Sequence, residues 1–242
     1  MTEKNSAPDR GSDTETKLSL HLVGKLLFAS TAAVIALGVF QEVYTRHFGE
    51  ETLLRGMPQI ALDGEHNVGA WYTSCLMVAA AFVLFLTGRA ESDKGGLRKS
   101  LPWYALAVIF VGMSIDESAS FHEILGQPLR DKLGTGGFLY YAWVIPGAIF
   151  ALSVAIAFIP FLLSLPRPVA VRFVAAGAIF VGGAVGLELF EGYLADRGEE
   201  GSPLYMAFVI IEEGMEMTGI ALFLATAIGH LGNIHPKWRL GN

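Results

Sequence analysis

The sequence predicts an all-α fold, a polytopic transmembrane bundle of six helices, and three observations carry that prediction. Apolar residues dominate: of 242 residues, 52% are hydrophobic and 17% charged, where ordinary globular domains carry roughly 25% charged residues. Mean hydropathy is +0.48. Six apolar stretches recur along the chain, each meeting the requirement of about 20 residues for crossing a hydrocarbon core near 30 Å thick. Lys and Arg alternate in density from loop to loop, twelve on one side of the threaded chain against five on the other, the asymmetry that orients membrane proteins.

Residues 1–17 mix both charge signs with Ser, Thr, Asp and Pro. That composition reads as a disordered cytoplasmic tail rather than a signal peptide, which opens basic and runs at once into a short apolar core. The membrane domain is expected over residues 18–231, followed by a cytoplasmic tail over 232–242. The first span, Leu20–Tyr44, is retained as a membrane helix, and the second is Val68–Thr87. The third, Leu101–Ile124, places Pro102 in its first turn, where a missing N–H is harmless. The fourth, Phe138–Leu165, contains Pro146 and Pro160, which predict a kink or tilt. The fifth is Val169–Leu194, and the sixth, Leu204–His230, is opened by Pro203. The Lys and Arg bias puts both termini in the cytoplasm, and the chain is expected in a cell (inner) membrane or plasma membrane. Trp71, Trp103, Tyr140, Tyr141 and Trp143 read as interfacial anchors. His47, His66, His230 and His235 read as solvated loop or end residues. Gly182-x-x-x-Gly186, Gly214 and Gly219 permit close helix approach.

Composition also excludes. No basic patch with interleaved aromatics is present, so nucleic acid is not expected as a partner. Cys75 is the sole cysteine, which rules out an internal disulfide and a cysteine-built zinc site. Partners are expected to be the lipid bilayer and a lipid-like or cationic small molecule. The sequence does not specify an oligomeric state.

The spans break their own apolar rule at three places: Ser114-Ile-Asp-Glu-Ser-Ala-Ser-Phe-His-Glu123, Leu187-Glu-Leu-Phe-Glu191 and Ile211-Glu-Glu-Gly-Met-Glu216. An ionisable side chain in a bilayer costs roughly 2.5–3.5 kcal/mol even on the lenient insertion scale, and marks function by default. Eight carboxylates face one histidine, and no Lys or Arg lies within these stretches. At 1.5 Å per residue, Asp116 lies about 22 Å along an outward-running third helix, and Glu212 and Glu216 about 12 and 18 Å below the outer end of the sixth. All three clusters are therefore expected to meet in the outer half of the membrane.

Charge of this kind needs protons, a metal ion or a cationic ligand. Acids from three helices plus one imidazole form an oxygen-rich set suited to a divalent metal: Mn, Fe or Mg by donor type, Zn if the histidine binds. The expected ligands are Glu117, His122, Glu188, Glu191, Glu212 and Glu216, with Asp116 and Glu213 as the catalytic proton acceptors. Soluble di-metal bundles use Glu-x-x-His pairs; here the spacing is Glu-x-x-Glu. Bland readings accompany these. Glu42, Glu123 and Glu191 also fit the headgroup level, His122 also fits a hydrogen-bonded core position, and Met113, Met215 and Met217 fit packing.

The string Ser114-x-Asp116-Glu117 ending in His122-Glu123, followed by the Glu-x-x-Glu and Glu-Glu-x-x-Glu helices, resembles a pattern in uncharacterised bacterial polytopic membrane proteins. That resemblance spans helices three to six and implies no settled activity. Asp116, His122 and the nearby serines are also faintly similar to the ceramidase-like membrane hydrolases, which hold zinc with histidines, an aspartate and a serine. The paired late-helix histidines of that superfamily are absent, Glu212 and Glu216 standing at that kind of spacing. The expected function is a membrane metalloenzyme of hydrolase or oxidase type acting on a lipid-like substrate. The alternatives are a proton-coupled cation or drug carrier using the same acids, and a structural or assembly subunit of a membrane complex.

Overall fold

The computed structural model describes residues 10–52, 54–64 and 66–234, with side chains from Leu22 onward. Among these residues all regular structure is helical: α1 (Arg10–Phe48), α2 (Val68–Gly95), α3 (Leu97–Ala119), α4 (Phe121–Leu133), α5 (Val144–Ala157), α6 (Ile159–Ser164), α7 (Arg167–Val181), α8 (Glu188–Ala195) and α9 (Pro203–Ile234). Four helical stretches are long and apolar enough to cross a membrane: Leu22–Phe48, Val68–Gly95, Val144–Ser164 and Arg167–Ala195. The bent pair α3 and α4, 75° apart, makes a fifth if taken as one span.

Helix α9 is the centre of the bundle, packed against α1, α2, α7 and α8. At 1.5 Å per residue it is about 48 Å long. Local chemistry sets the boundaries around it. Asn67 caps α2 by accepting from the Ala70 N–H at 2.8 Å, satisfying one of the orphan donors of a helix start. The α2–α3 turn runs through Gly96 at φ 66°, a left-handed conformation that suits a residue without Cβ. The two helices are then laced together by Ser74 Oγ, which lies 2.7 Å from Ser114 Oγ and 2.9 Å from Ser118 Oγ. Small hydroxyl residues serve this role between apolar helices.

Near the α2–α3 turn, one end of the bundle is an aromatic core. Trp103, 2% exposed, meets Phe161 edge-on at 4.8 Å and stacks on His230 at 5.2 Å between centroids. Phe173 stacks on Phe223 at 4.4 Å. Trp103 is therefore a core residue, not an interfacial anchor, and His230 is buried rather than solvated. Both expectations failed because α3 begins at Leu97 and α9 runs on to Ile234. The helices extend past their apolar windows, and residues at the window edges lie inside the bundle. For the same reason Pro102 is interior to α3, where it removes one intrahelical hydrogen bond.

Other boundaries differ from expectation. Helix α1 starts at Arg10, within the stretch expected as a tail; residues 1–9, His235 and the tail beyond it lie outside the described residues. The fourth expected span starts later, after a short 3₁₀ turn at Gly137–Leu139, and breaks at Phe158, beside Pro160 as a proline kink requires. The third expected span breaks at Ser120, φ 52°. The fifth contains a π-helical segment, Gly182–Leu187, between α7 and α8.

Candidate metal centre

Each of the two unexpected breaks, at Ser120 and at Gly182–Leu187, presents acids at the other end of the bundle, away from the aromatic core. In the π-helical segment the chain packs hard against α9. A Cβ on Gly183 would lie 2.9 Å from the Glu212 carbonyl oxygen, 3.2 Å from Met215 Cβ and 3.3 Å from Glu216 Cγ. A Cβ on Gly219 would lie 2.9 Å from the Ala176 carbonyl oxygen. Close approach thus rests on Gly183 and Gly219. Gly186, expected to share the role with Gly182, has nothing within 4 Å. A π-bulge adds a residue to a helical turn and rotates the helix beyond it, and such segments concentrate at functional sites. Here Glu188 and Glu191 come directly after it, one turn apart on α8.

Glu188, Glu191 and Glu212 come together. Each offers a carboxylate oxygen, and these atoms lie within 4.8 Å of one another. Glu191 is 4% exposed and Glu212 8%; Glu188 is half-buried. Glu212 is hydrogen-bonded to both Glu188 and Glu191, and Glu216 adds a further acid beside it. Glu191 Oε1 is buried without a hydrogen-bond partner among the described residues. A buried carboxylate oxygen in that state loses several kcal/mol of solvation with nothing to replace it, unless a cation or proton joins it. The cluster can hold a metal ion.

Around it sit the remaining expected residues. Glu216 lies one turn along α9 from Glu212 and is its electrostatic neighbour. Glu117 and Glu213 are half-buried on α3 and α9, each with interactions of its own. None of these three belongs to the group that closes within 4.8 Å, and neither does His122. His122 opens α4, its Nδ1 2.8 Å from Asp116 Oδ2, while its backbone N–H donates to Asp116 Oδ1 at 3.1 Å. Asp116 thereby caps the helix that starts after the Ser120 break. The Met set is packing: Met217 is fully buried, and a Cβ on Gly182 would meet Met215 Cε at 3.0 Å.

Two partners have no strong signal in the sequence. The Trp143 indole Nε1 donates to Glu188 Oε1 at 3.0 Å, although by sequence Trp143 reads only as an anchor. Beside the cluster, the Tyr141 and Tyr205 hydroxyls pair at 3.0 Å, and Glu191 is within electrostatic reach of both rings' oxygens. Further out, Asp63 sits in the loop before α2. Partial desolvation, then Glu42, Glu200 and Glu123, push its carboxyl above the usual carboxylate range. Asp63 in turn bears electrostatically on Glu191, so negative charge continues from the loops to the cluster.

The family described as a domain of unknown function (DUF8692) matches residues 24–230. The chain belongs to that family. The match spans the bundle from α1 to the last turns of α9 and includes both breaks and all three clustered acids. No curated protein and no solved structure matches the chain.

Proposed function

We propose that this member of the family is a six-pass inner-membrane metalloprotein with both termini in the cytoplasm. Glu188, Glu191 and Glu212 would bind one divalent metal in the outer half of the bilayer. Six passes follow if α9 and the bent α3–α4 pair are counted with the four clear spans; the Lys and Arg bias supports the orientation. The observation that carries the metal reading is a buried trio of carboxylates within 4.8 Å, one with an unpartnered buried oxygen.

Three hard oxygen donors suit Mn, Fe or Mg; Zn would be favoured if the imidazole of His122 joined them. Three protein ligands leave coordination positions for water and substrate. A metal held there would supply Lewis acidity and acidify bound water, chemistry suited to a hydrolase or oxidase. A lipid-like substrate would reach the site through the bilayer, with Asp116 and Glu213 as proton acceptors at its edge. The test is elemental analysis of protein purified in detergent. Stoichiometric metal, lost in both Glu188→Ala and Glu212→Ala while the helical signal persists, supports the reading. Folded wild-type protein that takes up no divalent metal rejects it.

A second reading, a proton-coupled carrier of cations, draws on the run of acids from Asp63 to Glu191. It expects pH-gradient-driven uptake in proteoliposomes, abolished by Glu191→Gln. Absence of flux for Mn²⁺, Na⁺ and organic cations alike would remove its support.

A further inference from the structure

A continuous set of contacts joins the carboxylate trio to the break between α3 and α4. At the break, Asp116 meets both the backbone N–H and the Nδ1 of His122, at 3.1 and 2.8 Å. With both Asp116 oxygens engaged by His122, one by its backbone and one by its ring, the imidazole is held in one orientation. The His122 ring then packs on the Trp143 indole, with centroids 4.7 Å apart and planes at 56°. That indole's Nε1 donates to Glu188 Oε1 at 3.0 Å. Asp116 and His122 belong to α3 and α4, Trp143 precedes α5, and Glu188 opens α8. Residues from three parts of the chain thus lead to a carboxyl group on a fourth.

The chemistry of the last link is informative. Indole N–H is a neutral donor with no acceptor capacity. It orients a carboxylate without discharging it, whereas Lys or Arg in the same place would cancel the charge that attracts a cation. Glu188 is the member of the trio that surface area leaves most accessible, and Trp143 is its hydrogen-bond partner from outside the acidic cluster. Outer hydrogen bonds of this kind fix ligand geometry in metal sites, and losing one typically lowers affinity about 10–100-fold.

Resting on the metal-site reading above, we propose that Trp143, with the Asp116–His122 pair behind it, is a positioning residue for Glu188. These residues hold the Glu188 carboxyl group in place for a cation and tie occupancy of the site to the bend at Ser120.

The test uses full-length protein in detergent with Mn²⁺ alone as the probe, followed by electron paramagnetic resonance. Trp143→Phe keeps an aromatic ring and removes the N–H. It is expected to weaken Mn²⁺ binding about tenfold or more and to change the spectrum of the bound ion, at an unchanged Tm. Asp116→Asn presents an amide N–H to Nδ1 and moves the ring proton to Nε2, with a smaller loss expected in the same direction. Wild-type affinity and spectrum in Trp143→Phe would overturn the proposal. A metal-free arm separates it from the reading it rests on: the Trp143 indole N–H resonance in ¹H–¹⁵N spectra. That resonance should shift in Glu188→Ala and also in Asp116→Asn. If it is unmoved in the first, the link to Glu188 is wrong; if it is unmoved only in the second, the extension to Asp116 is wrong. Wild-type protein that binds no Mn²⁺ rejects the metal site, and the indole resonance still decides whether Glu188 is held.

Discussion

The two halves of α9 solve opposite problems. From Met217 onward the helix is buried among α2 and α7 by apolar contact, with Met217, Ala221 and Ala227 fully enclosed and Phe223 stacked on Phe173. Even His230 has a ring to lie on, the indole of Trp103. Toward its start the same helix brings Glu212 against Glu188 and Glu191, and Oε1 of Glu191 is enclosed without a donor among the described residues. This half has apolar burial of its own, Tyr205, Met206 and Val209 packing with Leu62 and Leu194, but its enclosed acids work against that gain. The aromatic end carries no such opposing charge, a contrast expected where function requires unfavourable local chemistry.

That contrast yields predictions, the largest first. Trp103→Ala removes the ring that contacts Phe161, Phe173 and His230, and is expected to destabilise by about 3–5 kcal/mol. Thermal unfolding followed by circular dichroism measures the loss. Below the lowered Tm, Mn²⁺ affinity should match wild type; a collapse of affinity in the folded variant would show that the two ends are not separable. Glu212→Gln works the other way. Mn²⁺ binding should fall by about a hundredfold, near 3 kcal/mol, while the metal-free protein melts no lower than wild type, because an enclosed acid has been exchanged for a neutral isostere. A lower metal-free Tm would mean that Glu212 is a structural residue.

Gly183→Ala sits on the boundary between the halves. Its new Cβ would meet the Glu212 carbonyl oxygen at 2.9 Å, and backbone cannot swing aside as a flexible side chain can. Overpacking should lower stability by about 1–3 kcal/mol and weaken Mn²⁺ binding as well, the one substitution here expected to move both readouts. The smallest effect belongs to Asp63→Asn. A carboxyl whose native pKa is raised adds nothing unfavourable below its ordinary value of 3.8. It loses stability as pH climbs from there through the raised native value. The variant should therefore melt with wild type below pH 3.8 and at a higher temperature than wild type at neutral pH; a pH-independent difference would show that Asp63 does not titrate in this environment.

Much of the site is legible in the sequence. Apolar windows locate the helices, and acids inside those windows locate Glu188, Glu191 and Glu212. Hydropathy does not register the backbone geometry within a window. The break at Ser120 has no proline or glycine beside it; it is made by Asp116 reaching forward to His122, a contact between specific polar atoms. The π-helical segment depends on how closely Gly183 lets the chain approach α9, which is a tertiary fact. Trp143 lies 45 residues from Glu188, so only the folded chain shows that its N–H is spent on a carboxylate. The misplacement of Trp103 and His230 has a simpler source, since helices do not end where their apolar runs end.

The central claim is that the three clustered carboxylates bind a cation, and titration of purified protein with Mn²⁺ tests it most directly when wild type and Glu191→Gln are run side by side. Glu191 holds the unpartnered buried oxygen, so the account predicts saturable stoichiometric binding to wild type and at least about a tenfold loss in the variant, with the helical fold intact in both. Equal binding by the two proteins, or none by either while both remain folded, would contradict it.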